Sequence, residues 1–183
     1  MTTQYRIAIL VPLALGAVTF LCTTVVHALP VRAAVNFVRH ETSRGRAGAS
    51  FWINVAIVVR TIYYAMAAHL LEIGLWAVLF VVCREFQEFG TAYYHSAVNY
   101  TTLGYGDMVM TPSWRLLGPL EAANGMLMFG VSTAMIFAVI QKLIHARFVD
   151  LRIEQRKIYA TKTRITSPAP TPTTLIRGGH ETL

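Results

Sequence analysis

Charge is what this chain has least of. Only 14% of its 183 residues are Asp, Glu, Lys or Arg, while 55% are apolar, and a soluble globular domain carries about a quarter charged residues. That balance excludes an ordinary soluble globule. Cysteine is almost missing too: Cys22 and Cys83 have neither metal-ligand spacing nor the even framework of a disulfide-held domain, and they say nothing about redox compartment. Acids are outnumbered 9 to 16, and the resulting +7 would point to nucleic acid if the bases formed one patch on a polar surface. They do not. Twelve of the 16 fall in residues 29–50 and 141–183, which carry +3 and +5, and the rest of the chain sums to −1. Nucleic acid is therefore not an expected partner. With no nucleotide loop and no nucleophile–base motif, neither an enzyme nor a cofactor is expected.

What the chain does have is long apolar runs. Crossing about 30 Å of hydrocarbon takes about 20 apolar residues in a helix, and three segments supply them, which predicts an all-α membrane protein. The first, Ile7 to Ala28, is uncharged; a secretory signal is its rival, because Arg6 precedes it and small residues surround its end, but the run is longer than a usual signal core. The second, Phe51 to Val82, is interrupted by Arg60, so the crossing part is placed at residues 61–83. Residues 29–60 then form a basic loop and an interfacial lead-in, with Trp52 near the headgroups. The third span covers residues 117–141, broken only near its start by Pro119, Glu121 and Asn124.

Basic residues that flank spans stay on the cytoplasmic side. Both basic stretches should therefore be cytoplasmic, and two spans separate them, which puts the loop at 84–116 outside a multi-pass plasma-membrane protein. After the third span, Ile144, Phe148, Leu151 and Ile158 recur at four- and three-residue steps, which predicts an amphipathic cytoplasmic helix over 142–160. It suits either a bundle around an axis or a surface of anionic lipid. Residues 161–183, rich in Thr, Pro and Ser, are expected to be a disordered tail. No arginine ladder marks a voltage sensor, and the roughly 40 residues after the third span are helix and tail, without a ligand-binding domain.

Within the outer loop, Phe89 to Leu103 is too short to span and too apolar for an exposed loop. Thr91 can cap a short helix over 91–101, which runs into Thr102-Leu103-Gly104-Tyr105-Gly106-Asp107. Non-helical backbone at membrane depth survives only if it is buried in protein or lines a water-filled path. Rings of backbone carbonyls can replace the hydration shell of a potassium ion, provided successive C=O groups point to one axis. Gly104 and Gly106, without a Cβ, can take the positive φ this needs. Leu103 and Tyr105 would point away from the axis, the Thr102 hydroxyl would add an oxygen at the inner mouth, and the short helix would aim its negative end at the centre.

Thr-Leu-Gly-Tyr-Gly-Asp resembles the selectivity-filter signature of potassium channels with one pore loop per chain. Leu103 stands where Val or Ile is commoner. Chance would give the five fixed letters on the order of once in a million positions. Covering about residues 61–141, the resemblance implies an outer helix, a pore loop and an inner helix in a homotetramer, with K⁺ held by Thr102, Leu103, Gly104, Tyr105 and Gly106 and conducted passively. The helix at 1–28 has no counterpart in that plan and is read as a lipid-facing scaffold. In many family members two tryptophans brace the filter, and Tyr94 and His95 stand at the matching positions. Tyr94 either bonds Asp107 behind the filter or simply packs; His95 either tunes the pore with pH or is merely packed. The gating hinge falls near Gly125, with Gly130 one further turn on, and close helix packing is the alternative.

Four ionisable or polar residues lie inside the spans: His69 and Glu72, three apart on one helical face, and Glu121 and Asn124, repeating that spacing. They are read as holding outer and inner helices in register, with Trp76 on the same packing face as Glu72. Two rivals stand beside the potassium channel. One is a weakly selective cation channel. The other, from a different class, is a metal- or proton-handling membrane protein built on His69, Glu72, Glu121 and His95.

Overall fold

The computed structural model describes residues 2–46 and 50–166. Among them there are four helices and no strand: α1 (Thr2–Ser43), α2 (Phe51–Val82), α3 (Phe89–Tyr100) and α4 (Leu117–Thr166). α1, α2 and α4 are each long and apolar enough to cross a membrane, whereas α3 has only 12 residues. The chain is thus an all-α membrane protein in which a short helix and a loop stand between the second and third spans.

Contacts divide it into two units, residues 1–147 and 148–183. In the second unit the chain is helical to Thr166, so residues 161–166 are not part of a disordered tail, and residues 167–183 lie outside the described residues. Phe148, Leu151 and Ile158 stand exposed there.

In the first unit, two boundaries differ from the expected ones for a single reason. α1 does not end near Ala28 but continues through Pro30 and the basic stretch to Ser43, and α2 starts at Phe51 and passes Arg60 without a break. Residues 29–43 are therefore helix, not loop. Ala34 and Val38 recur at helical spacing and are buried, the first with Ala65 and Met135, the second with Ile57, Val139 and Leu143. Arg32 and Arg39 stay on the exposed face. A helix persists wherever its apolar stripe is covered, and here the stripe outlasts the uncharged run. Arg60 is accommodated because its guanidinium lies 4.5 Å from the Phe37 ring centroid and 6.0 Å from that of Tyr64, a cation–π arrangement that lets a charge rest on apolar surface.

α1 is also more than a lipid-facing scaffold. Leu10, Val18, Leu21, Val25 and Leu29 are exposed on one side, but Thr23, His27, Ala34 and Val38 are buried on the other. Thr23 meets Asn124, His27 meets Ser132, and Val38 meets Val139. Residue numbers rise together along both helices, so α1 and α4 run parallel. The main apolar core is built from Trp76 and Phe80 of α2, Ala92 and Tyr100 of α3, and Leu117 and Met128 of α4. It seats the short helix between the two spans and confirms Trp76 as a packing residue.

Candidate functional site

α3 begins at Phe89, with Glu88 rather than Thr91 in the cap position. After Tyr100 the chain folds back on the helix it has left: the Thr102 N–H donates to the Asn99 carbonyl at 2.8 Å, and the N–H groups of Leu103 and Gly104 donate to the Val98 carbonyl at 2.9 and 3.3 Å. From there the sign of φ alternates. It is 60° at Thr102, 58° at Gly104 and 74° at Gly106, while Leu103 and Tyr105 between them are not positive. Uniform strand dihedrals send successive carbonyls to opposite sides, whereas alternating hand gathers like backbone groups on one side. The two glycines adopt this at little cost. Thr102, a β-branched residue in the left-handed region, stores roughly 1–2 kcal/mol of strain, and nothing in its side-chain type announces that. Leu103 and Tyr105 are 55% and 66% exposed within one chain.

Behind this segment the Tyr94 hydroxyl donates to Asp107 Oδ2 at 2.9 Å. Of the two roles open to Tyr94, this geometry selects the hydrogen bond. The carboxylate accepting that proton pushes the Tyr94 phenol up from its ordinary value. On the far side, Thr111 donates its N–H (2.8 Å) and its hydroxyl (2.5 Å) to Glu85, which fastens the outgoing loop to the end of α2. A cavity of about 350 Å³ lies between Thr102, Gly104, Met110 and Gly118.

His95 is held by packing. Asn99 Nδ2 lies 2.8 Å from its Nε2, and the ring lies against Phe80 and Phe86 at centroid distances of 5.5 and 4.8 Å. Burial pushes its imidazole below the ordinary histidine value, with Asp107 and Glu85 acting in the opposite sense. A lowered folded-state value means that the fold prefers the neutral ring. Its contribution to stability is fully present above the unfolded value of about pH 6.5 and is lost as pH falls from there through the lower folded value. Substituting His95→Gln, which keeps an acceptor for Asn99, should flatten the stability profile on the acid side of about pH 6.5 in thermal melts.

The four intramembrane polar residues separate into two networks, each completed by α1 or α3. In the first, His27 Nδ1 lies 2.6 Å from Glu72 Oε1, and the Tyr100 hydroxyl donates to Glu72 Oε2. His69 Nδ1 is 3.1 Å from the Tyr100 hydroxyl, and Ser132 Oγ lies 3.3 Å from His27 Nε2 and 3.1 Å from His69 Nε2. Ser132 has one hydroxyl proton and so donates to only one of the two ring nitrogens at a time. Burial, and then the bond to Glu72, push the Tyr100 phenol far above its ordinary value, so it remains a donor. All five residues are buried, and they join α1, α2, α3 and α4.

In the second network Ser96 bonds both the Ile73 carbonyl, at 2.8 Å, and the Glu121 carboxyl, joining α3, α2 and α4. Asn124 turns the other way and donates to Thr23 Oγ1 at 2.8 Å. Asn124 therefore registers the inner helix against α1, not against α2. Sequence reasoning missed His27, Thr23, Ser132 and Tyr100 as members of these sets. A histidine inside an otherwise uncharged span was the available signal for His27.

His27, His69 and Glu72 offer ligand-type atoms all within 4.8 Å of one another, a set transition metals accept. Direct hydrogen bonds among them, Tyr100 and Ser132 already satisfy it. Glu121 and His95 belong elsewhere, so the four residues considered for metal or proton handling are not brought together.

Gly125 sits where α4 crosses the end of α3. A Cβ there would stand 2.0 Å from the Tyr100 carbonyl oxygen, whereas at Gly130 it would meet nothing within 4 Å. Close approach of backbones accounts for the first glycine and not for the second.

No curated protein and no solved structure matches the chain. Residues 57–142, a little under half of it, match the family model described as an ion channel, and that supports ion-channel function for the segment holding most of α2, α3, the Thr102–Asp107 loop and the first half of α4.

Proposed function

We propose that the chain is one subunit of a homotetrameric, potassium-selective channel. The observation that carries this is the alternating sign of φ along Thr102, Leu103, Gly104, Tyr105 and Gly106, which suits a column of carbonyls turned to one side. One chain supplies one wall of such a column, and closed cyclic symmetry supplies the rest. Leu103 and Tyr105, uncovered in a single chain, would be covered by neighbouring copies.

Mechanistically, a K⁺ ion sheds water as it enters and exchanges those oxygens for carbonyls of the filter, with the Thr102 hydroxyl at the inner mouth. The C-terminal end of α3, whose last carbonyls carry partial negative charge, favours a cation just below. Tyr94 and Glu85 hold the outer side of the loop through Asp107 and Thr111. The basic ends of α1 and α4 lie in the cytoplasm of the host cell and the filter faces outward. Gly130, free of close contacts, is the better candidate for bending of the inner helix, and Gly125 for its packing.

Purified protein in liposomes with opposed K⁺ and Na⁺ gradients tests this reading. The expected reversal potential lies close to the K⁺ equilibrium value, and Gly104→Ala should abolish the current, because a Cβ at φ 58° is strained and reorients the carbonyl. A reversal potential near zero would replace this reading with a weakly selective cation channel, and flux indifferent to Gly104→Ala would overturn the pore assignment itself.

A further inference from the structure

A second cavity of about 350 Å³ lies on the flank shared by α1 and α4, within the size range of small-ligand sites. Val31 and Val35 of α1 and Met135 and Ala138 of α4 give it apolar walls, and Arg39 and Lys142 also line it. Along α1 the step from Val31 to Arg39 is roughly 12 Å, and along α4 the step from Met135 to Lys142 is roughly 10 Å. Because the two helices run parallel, both cations fall at the same end. The cavity is therefore an apolar slot that covers most of the depth of one leaflet, with a doubly cationic mouth.

Both cations are exposed. Among the described residues no salt bridge engages either of them, and the lining contains no carboxylate. We propose that this slot binds an anionic phospholipid, with an acyl chain between Val31, Val35, Met135 and Ala138 and the phosphate on Arg39 and Lys142. A guanidinium offers paired N–H donors matched to phosphate oxygens, and the ammonium adds a point charge. The exposed cations sit where the apolar walls end, the level at which a lipid headgroup stands when its chain fills the slot. A second copy of this chain fits less well, because meeting this face with the same face would set its own Arg39 and Lys142 against these two, like charge against like. This site does not depend on the pore assignment, since neither cation touches the filter or the buried networks.

The test uses full-length protein, delipidated in mild detergent and examined by native mass spectrometry with added phosphatidylglycerol or phosphatidylcholine. Phosphatidylglycerol should stay bound at collision energies that strip phosphatidylcholine. The double substitution Arg39→Gln and Lys142→Gln should cut that retention about ten-fold. Ala138→Trp, which fills the slot and leaves both charges, should do the same. Thermal melts on all variants show that the fold is retained. Glycerol phosphate, a headgroup without chains, should raise the melting temperature of the wild type by much less than phosphatidylglycerol does. Equal retention of the two lipids, unchanged retention in either variant, an equal response to glycerol phosphate, or a Val35→Cys disulfide between copies in the native state would each overturn the proposal.

Discussion

Gly125→Ala is expected to be the most damaging single methyl that can be added to the inner helix. The new Cβ would stand 2.0 Å from the Tyr100 carbonyl oxygen and 2.9 Å from its carbon, and both are backbone atoms at the end of α3. Neither can rotate away, so α4 and α3 must separate. Overpacking of this kind costs about 3 kcal/mol or more, which for a chain of this size lowers the melting temperature by roughly 6–12 °C. Because Tyr100 leads directly into Thr102, the displacement should also remove K⁺ current. Gly130→Ala, with nothing within 4 Å of the added carbon, is the control and should change the melting temperature by no more than about 4 °C. A Gly125→Ala protein that melts like the wild type, with only its gating altered, would show that Gly125 serves as a hinge rather than as a contact.

Glu72→Ala should be nearly as severe, for an electrostatic reason. The carboxyl is fully buried and receives the Tyr100 hydroxyl, with His27 Nδ1 at 2.6 Å. Removing it leaves the His27 imidazole and the Tyr100 phenol without their common acceptor. Breaking a buried pair from one side costs about 3–5 kcal/mol, read as a fall in melting temperature or as loss of folded protein on size exclusion in detergent. Glu154→Ala, at an exposed position, should be close to neutral. A double-mutant cycle of His27→Ala with Glu72→Gln should give a coupling between about 0.5 and 3 kcal/mol, and strict additivity would mean that α1 is not held through this pair.

These two positions also mark how far the sequence could be read. Glu72 was legible as a buried group in need of a partner, because a charge inside an apolar helix has to find one. Its position on one face with His69 followed from the three-residue spacing. That His27 would be one of its partners, from a helix with no place in the two-span plan, was not legible, since nothing in a one-dimensional pattern sets the register of one span against another. Asn124 illustrates the same limit: its need for a hydrogen bond was evident, but its turn toward Thr23 depended on which helix lay beside it. The ends of α1 and α2 escaped for a related reason. Charges commonly mark the close of a span, but Ala34 and Val38 on the covered side keep α1 intact while Arg32 and Arg39 stay on the exposed face.

By itself the sequence determined the class of the protein, the number of spans, the short helix before the Thr102–Asp107 loop, and the left-handed backbone at Gly104 and Gly106. Each of these follows from local chemistry: apolar length against bilayer thickness, and the freedom of a residue without a Cβ. The tertiary structure alone decided that Thr102 shares the left-handed conformation, that Tyr94 reaches Asp107, that Gly125 meets the Tyr100 carbonyl, and that α1 is locked to α2 and α4 through His27 and Thr23. Those are matters of which surfaces meet and at what register, and register is fixed by packing and by the matching of buried donors to acceptors across helices, which only the folded chain brings within reach.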